Sequence, residues 1–208
     1  LSLRAGIAIA AALLAVVAVV AWRGAPKPAP AVASATPAAS GPRIFYPPDS
    51  MPVLGFPDGR SETIRSLLNI RAPMQFGDYV WNDEAVPHGP VWIRVDLARQ
   101  IVSVFRAGHE IGSAIILYGT DGKPTPTGVF PILERARTHR SNLYDAEMPF
   151  MLRLTNDGVA IHASRVREGS ATHGCIGIPL DFARRVFDEA KRGDLVIVEA
   201  GEKAPHSG

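Results

Sequence analysis

The sequence predicts a mainly β domain with one or two short helices, preceded by a transmembrane helix and a Pro/Ala-rich linker. Three observations carry that expectation. From Val91 to Val198, short runs of β-branched and aromatic residues alternate apolar with polar at period two, the pattern of half-buried strands. Gly, Pro, Asn and Asp separate these runs as short turns. Ahead of them stand an uncharged apolar run and then a segment too rich in Pro and Ala to pack a core.

A chain of 208 residues with net charge +2 suits one ordinary domain plus an extension. Arg94, Arg99, Arg106, Arg135, Arg137 and Arg140 are scattered singly, so there is no basic stripe of the kind that binds nucleic acid, and that class of partner is set aside.

Residues 1–24 read as a membrane anchor or signal segment: Ala5 to Trp22 is apolar and uncharged between Arg4 and Arg23. It is longer than the apolar core of a usual signal peptide, which favours a retained anchor, although Val19-Val20-Ala21 offers a small-residue cleavage site. Residues 25–60 read as an extended Pro/Ala-rich linker, and residues 61–90 as a helical lead-in. Within the lead-in, Ile64, Leu67 and Leu68 follow Ser61 at helical spacing, which predicts a short helix over Ser61–Asn69 that ends before Pro73. Tyr79, Val80 and Trp81 are β-formers.

Residues 91–200 form the domain proper. Val91–Leu97, Ile101–Phe105 and Ile111–Tyr118 read as a three-stranded meander with one face to the core and one to solvent. Val129–Leu133 follows as a strand that Pro131 confines to an edge or a bulge. Arg135–Glu147 is a long polar loop. Phe150–Leu154 and Val159–His162 pair across Asn156-Asp157-Gly158, a favoured hairpin turn, with His162 on the opposite face of its strand from Ile161. Asp181 is placed to cap a helix running to Lys191, Gly193 to stop it, and Leu195–Val198 to make the last strand. Residues 201–208 read as a loose tail.

The chemistry gathers around Cys175, the single cysteine. No disulfide within the chain is open to it, and its thiol needs a neighbouring base to attack at neutral pH. His162 and His173 are both near in sequence. With Gly174 beside the thiol, backbone N–H groups there are able to face an incoming carbonyl, so nucleophile, base and oxyanion donors are all present for acyl transfer. Two other readings of the same residues stand beside it. Cys175 is also a plausible small buried hydrophobe. Alternatively His162, His173 and Cys175 ligate zinc, although His173 and Cys175 are only two apart and no nearby carboxylate has an obvious supporting place.

Thr172-His173-Gly174-Cys175-Ile176, with His162 upstream on a strand, closely resembles the signature of the L,D-transpeptidase (YkuD-type) catalytic domain. Asp96-Leu97-Ala98-Arg99-Gln100, Thr125-Pro126-Thr127-Gly128-Val129-Phe130 and Met148-Pro149-Phe150 extend the likeness over about Val91 to Glu199. The resemblance implies a β-sandwich and a periplasmic domain that acts on the stem peptides of peptidoglycan without a cofactor or metal and is inhibited by carbapenems. It implies Cys175 as nucleophile, His162 as base, and the backbone of His173, Gly174 and Cys175 as oxyanion hole, with Thr172, Tyr144 and Arg140 as candidate substrate contacts. The implied product is a 3→3 cross-link with release of D-alanine; water as acceptor makes the enzyme an L,D-carboxypeptidase, and a silent wall-binding module is the alternative outside catalysis. Gly177 stands where the family commonly carries Arg or Asn, and Ala163 where Gly or Ser is frequent. Arg140, Arg165 and Arg167 are the candidates to supply the missing positive charge.

Overall fold

The computed structural model describes residues 38–120, 122–141 and 145–201. The membrane segment Ala5–Trp22 and the tail 202–208 lie outside the described residues, and among those described no helix is long and apolar enough to cross a membrane. The elements in chain order are β1 (Ala38–Ser40), β2 (Arg43–Phe45), β3 (Val53–Gly55), β4 (Ser61–Thr63), β5 (Ser66–Leu68), β6 (Tyr79–Trp81), β7 (Val91–Asp96), β8 (Ile101–Arg106) and β9 (His109–Ile115). They continue with β10 (Gly128–Pro131), β11 (Glu134–Ala136), β12 (Met151–Arg153), β13 (Ala160–Ala163), β14 (Ile176–Ile178), helix α1 (Leu180–Glu189) and β15 (Leu195–Glu199).

The expected meander β7-β8-β9 is the middle of a nine-stranded sheet in the order β1-β2-β5-β9-β8-β7-β15-β10, with β6 also on β9. β15 returns parallel to β7, and β10 pairs with it at the sheet edge, where Pro131 leaves no ladder hydrogen bond unmade. A second sheet runs β11-β12-β13-β14, with β13 and β14 parallel. The two sheets share one core: Ile93, Val95, Val102, Val104 and Ile111 from the first meet Leu152, Ile161, Ile176 and Ile178 from the second. Helix α1 enters the same core through Phe182, Ala183, Val186 and Phe187. Among the described residues this is a mainly β fold with one α-helix.

Four expectations are corrected. Ser61–Asn69 is not a helix. It carries β4 and β5, because Leu68 and Ser66 point inward while Leu67 is half-buried, and the strands already formed by β2 and β9 offer hydrogen bonds that override the weak three-residue spacing. Nor are residues 38–60 wholly linker, since β1, β2 and β3 lie there and β2 pairs with β5. The far face of the meander is not left to solvent: Trp92, Phe105 and Ile197 pack on it against Phe56, Leu54, Ile64 and Leu67 of the lead-in. Asp181 does not cap α1. Pro179 holds the N-cap position, and Asp181 sits in the first turn with Arg184 at 3.2 Å.

A polar cluster pins the lead-in to the domain. Arg43 is 5 % exposed and donates from Nη1 to the Ser66 hydroxyl at 3.0 Å and to the Glu110 carbonyl at 2.8 Å, and from Nη2 to the Asn82 carbonyl. Ser66 Oγ lies 2.9 Å from His109 Nδ1, and the Glu110 carboxylate accepts the Leu68 N–H at 2.9 Å. Burial pushes Glu110 above the ordinary carboxylate range, against the hydrogen bonds of Ser103 and Leu68 and the charges of Arg43 and Arg94.

Candidate active site

His162 is the third residue of β13, and Cys175 immediately precedes β14. In the parallel register Ile161 faces Ile176 and His162 faces Gly177, so the ladder brings His162 and the residue just before β14, Cys175, to the same end of the second sheet. The turn that carries the cysteine is stitched to residues 117–119 on both flanks: Leu117 and Gly177 exchange two backbone hydrogen bonds of 2.9 Å, and Thr172 N–H donates to Tyr118 O at 3.0 Å. Across the turn the Thr172 hydroxyl donates to Cys175 O at 2.5 Å. Gly174, at φ +103°, supplies a backbone conformation that side chains with a Cβ rarely adopt.

Thr125 of the Thr-Pro-Thr-Gly motif also serves this turn. It is buried, and its hydroxyl accepts the Gly119 N–H at 2.9 Å. A Cβ on Gly119 would stand 2.2 Å from Lys123 O and 2.8 Å from Gly174 Cα, so the 119–125 turn packs backbone to backbone on the cysteine turn.

Cys175, His162, His173 and Thr172 line one cavity of about 190 Å3, together with Lys123, Ser141, Ala146, Met148, Asp157, Gly158 and Val159. His162 is buried to 9 % exposure. Its Nδ1 is 2.9 Å from Ala163 O, and because a carbonyl only accepts, Nδ1 carries the proton and Nε2 is left as the basic nitrogen. Burial holds the imidazole below its ordinary pKa, with the Ala163 hydrogen bond opposing and the His139 charge adding to the shift. Cys175 is half-buried beside Met148, Met151 and Ala160, and its thiol points to Gly158 O at 3.8 Å. Burial pushes the thiol up, the Ala160 N–H and Lys123 pull it down, and Asp157 pushes it up. Both shifts favour the uncharged forms, a thiol and a neutral imidazole, and the two groups line the same cavity.

Among the described residues no group of three His, Cys, Asp or Glu side chains is arranged to hold a metal ion. Arg140 stands outside the cavity lining, held by Asp145 at 2.6 Å and Glu147 at 3.0 Å. Arg165 and Arg167 are not in the lining either, and Tyr144 lies outside the described residues. The space for a side chain at Gly177 is taken by Ser164, whose Cβ and Oγ would both be 2.8 Å from an added Cβ. Lys123 and Asp157 escaped the sequence reading. Asp157 had a sufficient explanation as a turn residue, and Lys123 gave no signal beyond its place just before the Thr-Pro-Thr-Gly motif.

The profile of the YkuD family, the L,D-transpeptidase catalytic domain, matches residues 90–198, just over half of the chain. No curated protein sequence matches. Among solved structures the chain is similar to an L,D-transpeptidase from Stackebrandtia nassauensis at 22 % identity and TM-score 0.51, covering 56 % of this chain and 58 % of that one. It is also similar to an L,D-transpeptidase from Mycobacterium smegmatis (23 %, TM-score 0.49, 53 % and 58 % covered). A third is L,D-transpeptidase 3 from Mycobacterium tuberculosis, solved with a faropenem-derived adduct (20 %, TM-score 0.48, 52 % and 60 % covered). The chain thus spans less than two thirds of the length of these structures, and at such identities the likeness is one of fold.

Proposed function

The chain belongs to the YkuD family of L,D-transpeptidase catalytic domains, and on that premise we propose that it cross-links peptidoglycan through a cysteine thioester. What carries the proposal is one observation: Cys175 and His162 line the same cavity from adjoining strands, and the imidazole is fixed as the Nδ1–H tautomer.

His162 Nε2 takes the thiol proton as Cys175 Sγ attacks the carbonyl carbon of the third residue of a donor tetrapeptide. Backbone N–H groups of His173, Gly174 and Cys175 hold the oxyanion. The C–N bond to D-alanine breaks, its nitrogen receives the proton from His162, and a thioester remains. An amine of a second stem then attacks the thioester carbonyl and gives its proton to His162. The C–S bond breaks, that proton returns to sulfur, and one amide has been exchanged for another with no external oxidant or reductant. Thr172 acts by holding the cysteine turn, and Arg140 by bracing the loop that brings Ser141 and Ala146 to the cavity. The domain works in the periplasm, tethered through Ala5–Trp22, and the strained carbonyl of a carbapenem acylates the same sulfur.

The test is incubation of the purified protein with tetrapeptide muropeptides, following D-alanine release and dimer formation by mass spectrometry, with Cys175→Ala as control. Dimers that depend on Cys175 support the transpeptidase; D-alanine and tripeptide alone make it a carboxypeptidase. Absence of any Cys175-dependent product and of a carbapenem adduct on Cys175 leaves only a silent wall-binding module.

A further inference from the structure

We propose that Lys123 clamps the free α-carboxylate of the donor's last residue, so that the enzyme reads a peptide chain that ends one residue beyond the bond it breaks. The inference rests on the transpeptidase reading of Cys175 and assigns the cavity's charge to one part of that substrate.

Among the described lining residues, Lys123 is the only Lys or Arg and Asp157 the only carboxylate. They come from different loops, Lys123 from the 119–125 turn and Asp157 from the hairpin turn between β12 and β13. Lys123 is built into its place. Its N–H donates to Thr120 O at 2.9 Å, its carbonyl is packed against Gly119, and its Cγ lies 3.8 Å from where a Cβ on Gly174 would be. The lysine stem therefore starts beside the residue that precedes the nucleophile, with no side chain between them. Both charges act on the thiol from these positions, Lys123 favouring the thiolate and Asp157 opposing it.

The substrate's geometry matches this arrangement. One residue of extended chain advances about 3.8 Å, so with the scissile carbonyl at Cys175 Sγ the terminal carboxylate of the leaving residue falls within the sweep of a lysine side chain rooted next to Gly174. A carboxylate is repelled from the Asp157 side and drawn to the Lys123 side, which also sets the direction in which the donor lies. The arginines expected to supply positive charge, Arg140, Arg165 and Arg167, do not line the cavity, which leaves this task to Lys123. A donor with a further residue, or with its terminus amidated, offers Lys123 no charge at that distance.

The experiment compares a tetrapeptide donor with the same peptide amidated at its C-terminus, using the full chain as wild type, Lys123→Gln and Lys123→Arg, and reading kcat and KM for Cys175-dependent release of D-alanine or D-alaninamide. A charge-assisted contact predicts that wild type prefers the acid by about 10- to 100-fold in kcat/KM, carried mainly by KM, that Lys123→Gln brings the ratio near unity, and that Lys123→Arg keeps most of it. Equal use of acid and amide by wild type, or an unchanged ratio in Lys123→Gln, overturns the clamp and leaves the transpeptidase standing. No turnover of either peptide by wild type overturns the transpeptidase and the clamp with it. Should Lys123→Gln fail to fold, wild type alone decides through competition: N-acetyl-D-alanine inhibits and its methylamide does not if the clamp exists, and equal inhibition overturns it.

Discussion

Two buried polar clusters, one on each sheet, show how differently the same residue types are used. Around Arg43, Ser66, His109 and Glu110 the hydrogen bonds run between strands β2, β5 and β9 and the Asn82 carbonyl. Around His162 and Cys175 each group has a protein partner on one side, Ala163 O or Gly158 O, and a cavity on the other. Partners drawn from several elements hold those elements together, whereas a partner on one side with a cavity on the other orients a group towards something that is not part of the chain. Burial costs both clusters desolvation; Glu110 and His109 also border cavities, but only the second cluster brings a thiol and an imidazole into the lining of one cavity.

The comparison breaks most sharply at the sulfur. Cys175→Ala is expected to lower turnover by about 10^4-fold or more with little change in melting temperature, because the thiol's hydrogen bond to Gly158 O, at 3.8 Å, is weak. A large loss of stability with residual turnover would move Cys175 into the structural class.

His162→Gln comes next, with an expected loss of about 10^2- to 10^4-fold. The pH profile gives the sharper reading. Because burial lowers the imidazole pKa, the basic form persists below the ordinary histidine value of about 6.5, so the acid limb of kcat/KM falls below that pH and is lost in His162→Gln. The thiol is pushed up, so alkylation of Cys175 by iodoacetamide rises with pH and has its midpoint above the ordinary thiol value of about 8.5. Saturation of alkylation below neutral pH would mean a preformed thiolate–imidazolium pair.

How much of this was legible in the sequence follows the range of the interactions. The meander, the edge strand with Pro131, the Asp157-Gly158 hairpin and α1 are set by neighbours in the chain, and period and turn residues reported them. The lead-in was misread because β5 is specified by β2 and β9, which are distant in sequence, while its own Ile64, Leu67 and Leu68 happen to fit a helical turn. Arg43 gave no signal in the linker for the same reason: every hydrogen bond of its guanidinium among the described residues reaches a residue at least 23 positions away. At the site, Cys175 and His162 stood out by residue type and motif. Lys123, whose position depends on the backbone contact between Gly119 and Gly174, did not.

The structural cluster is tested by Arg43→Ala. Removing one buried charge-bearing partner from such a group costs about 3–5 kcal/mol, read as a fall in the denaturant midpoint, while kcat per folded molecule stays at the wild-type value. Glu110 adds a pH signature. Its folded pKa is raised, so its stabilising contribution is complete below the unfolded value of about 4.3 and is lost as pH rises towards the folded pKa. His162 works in the opposite sense: its folded pKa is lowered, so stability is lost as pH falls through the ordinary imidazole range. Glu110→Gln keeps an acceptor for the Leu68 N–H and is expected to flatten that loss with rising pH without touching the acid limb of kcat/KM. A matching change in that limb would join the two clusters that the structure keeps apart.

The smallest effect is expected at Arg140, where neither description applies. Its guanidinium is 59 % exposed, and the carboxylates of Asp145 and Glu147 are 82 % and 65 % exposed, so solvent screens both ion pairs and they contribute about 0–1 kcal/mol. The pairs still bridge the two ends of the 141–146 segment, where Ser141 N–H donates to Ala146 O at 2.8 Å and both residues line the cavity. Arg140→Ala therefore changes the melting temperature little and raises KM by a factor of about two to five, in line with a loss of that size, while kcat is retained. If KM instead rises more than about tenfold for the acid donor and not for its amide, Arg140 reaches the substrate's carboxylate directly, and the charge assigned to Lys123 is shared with it.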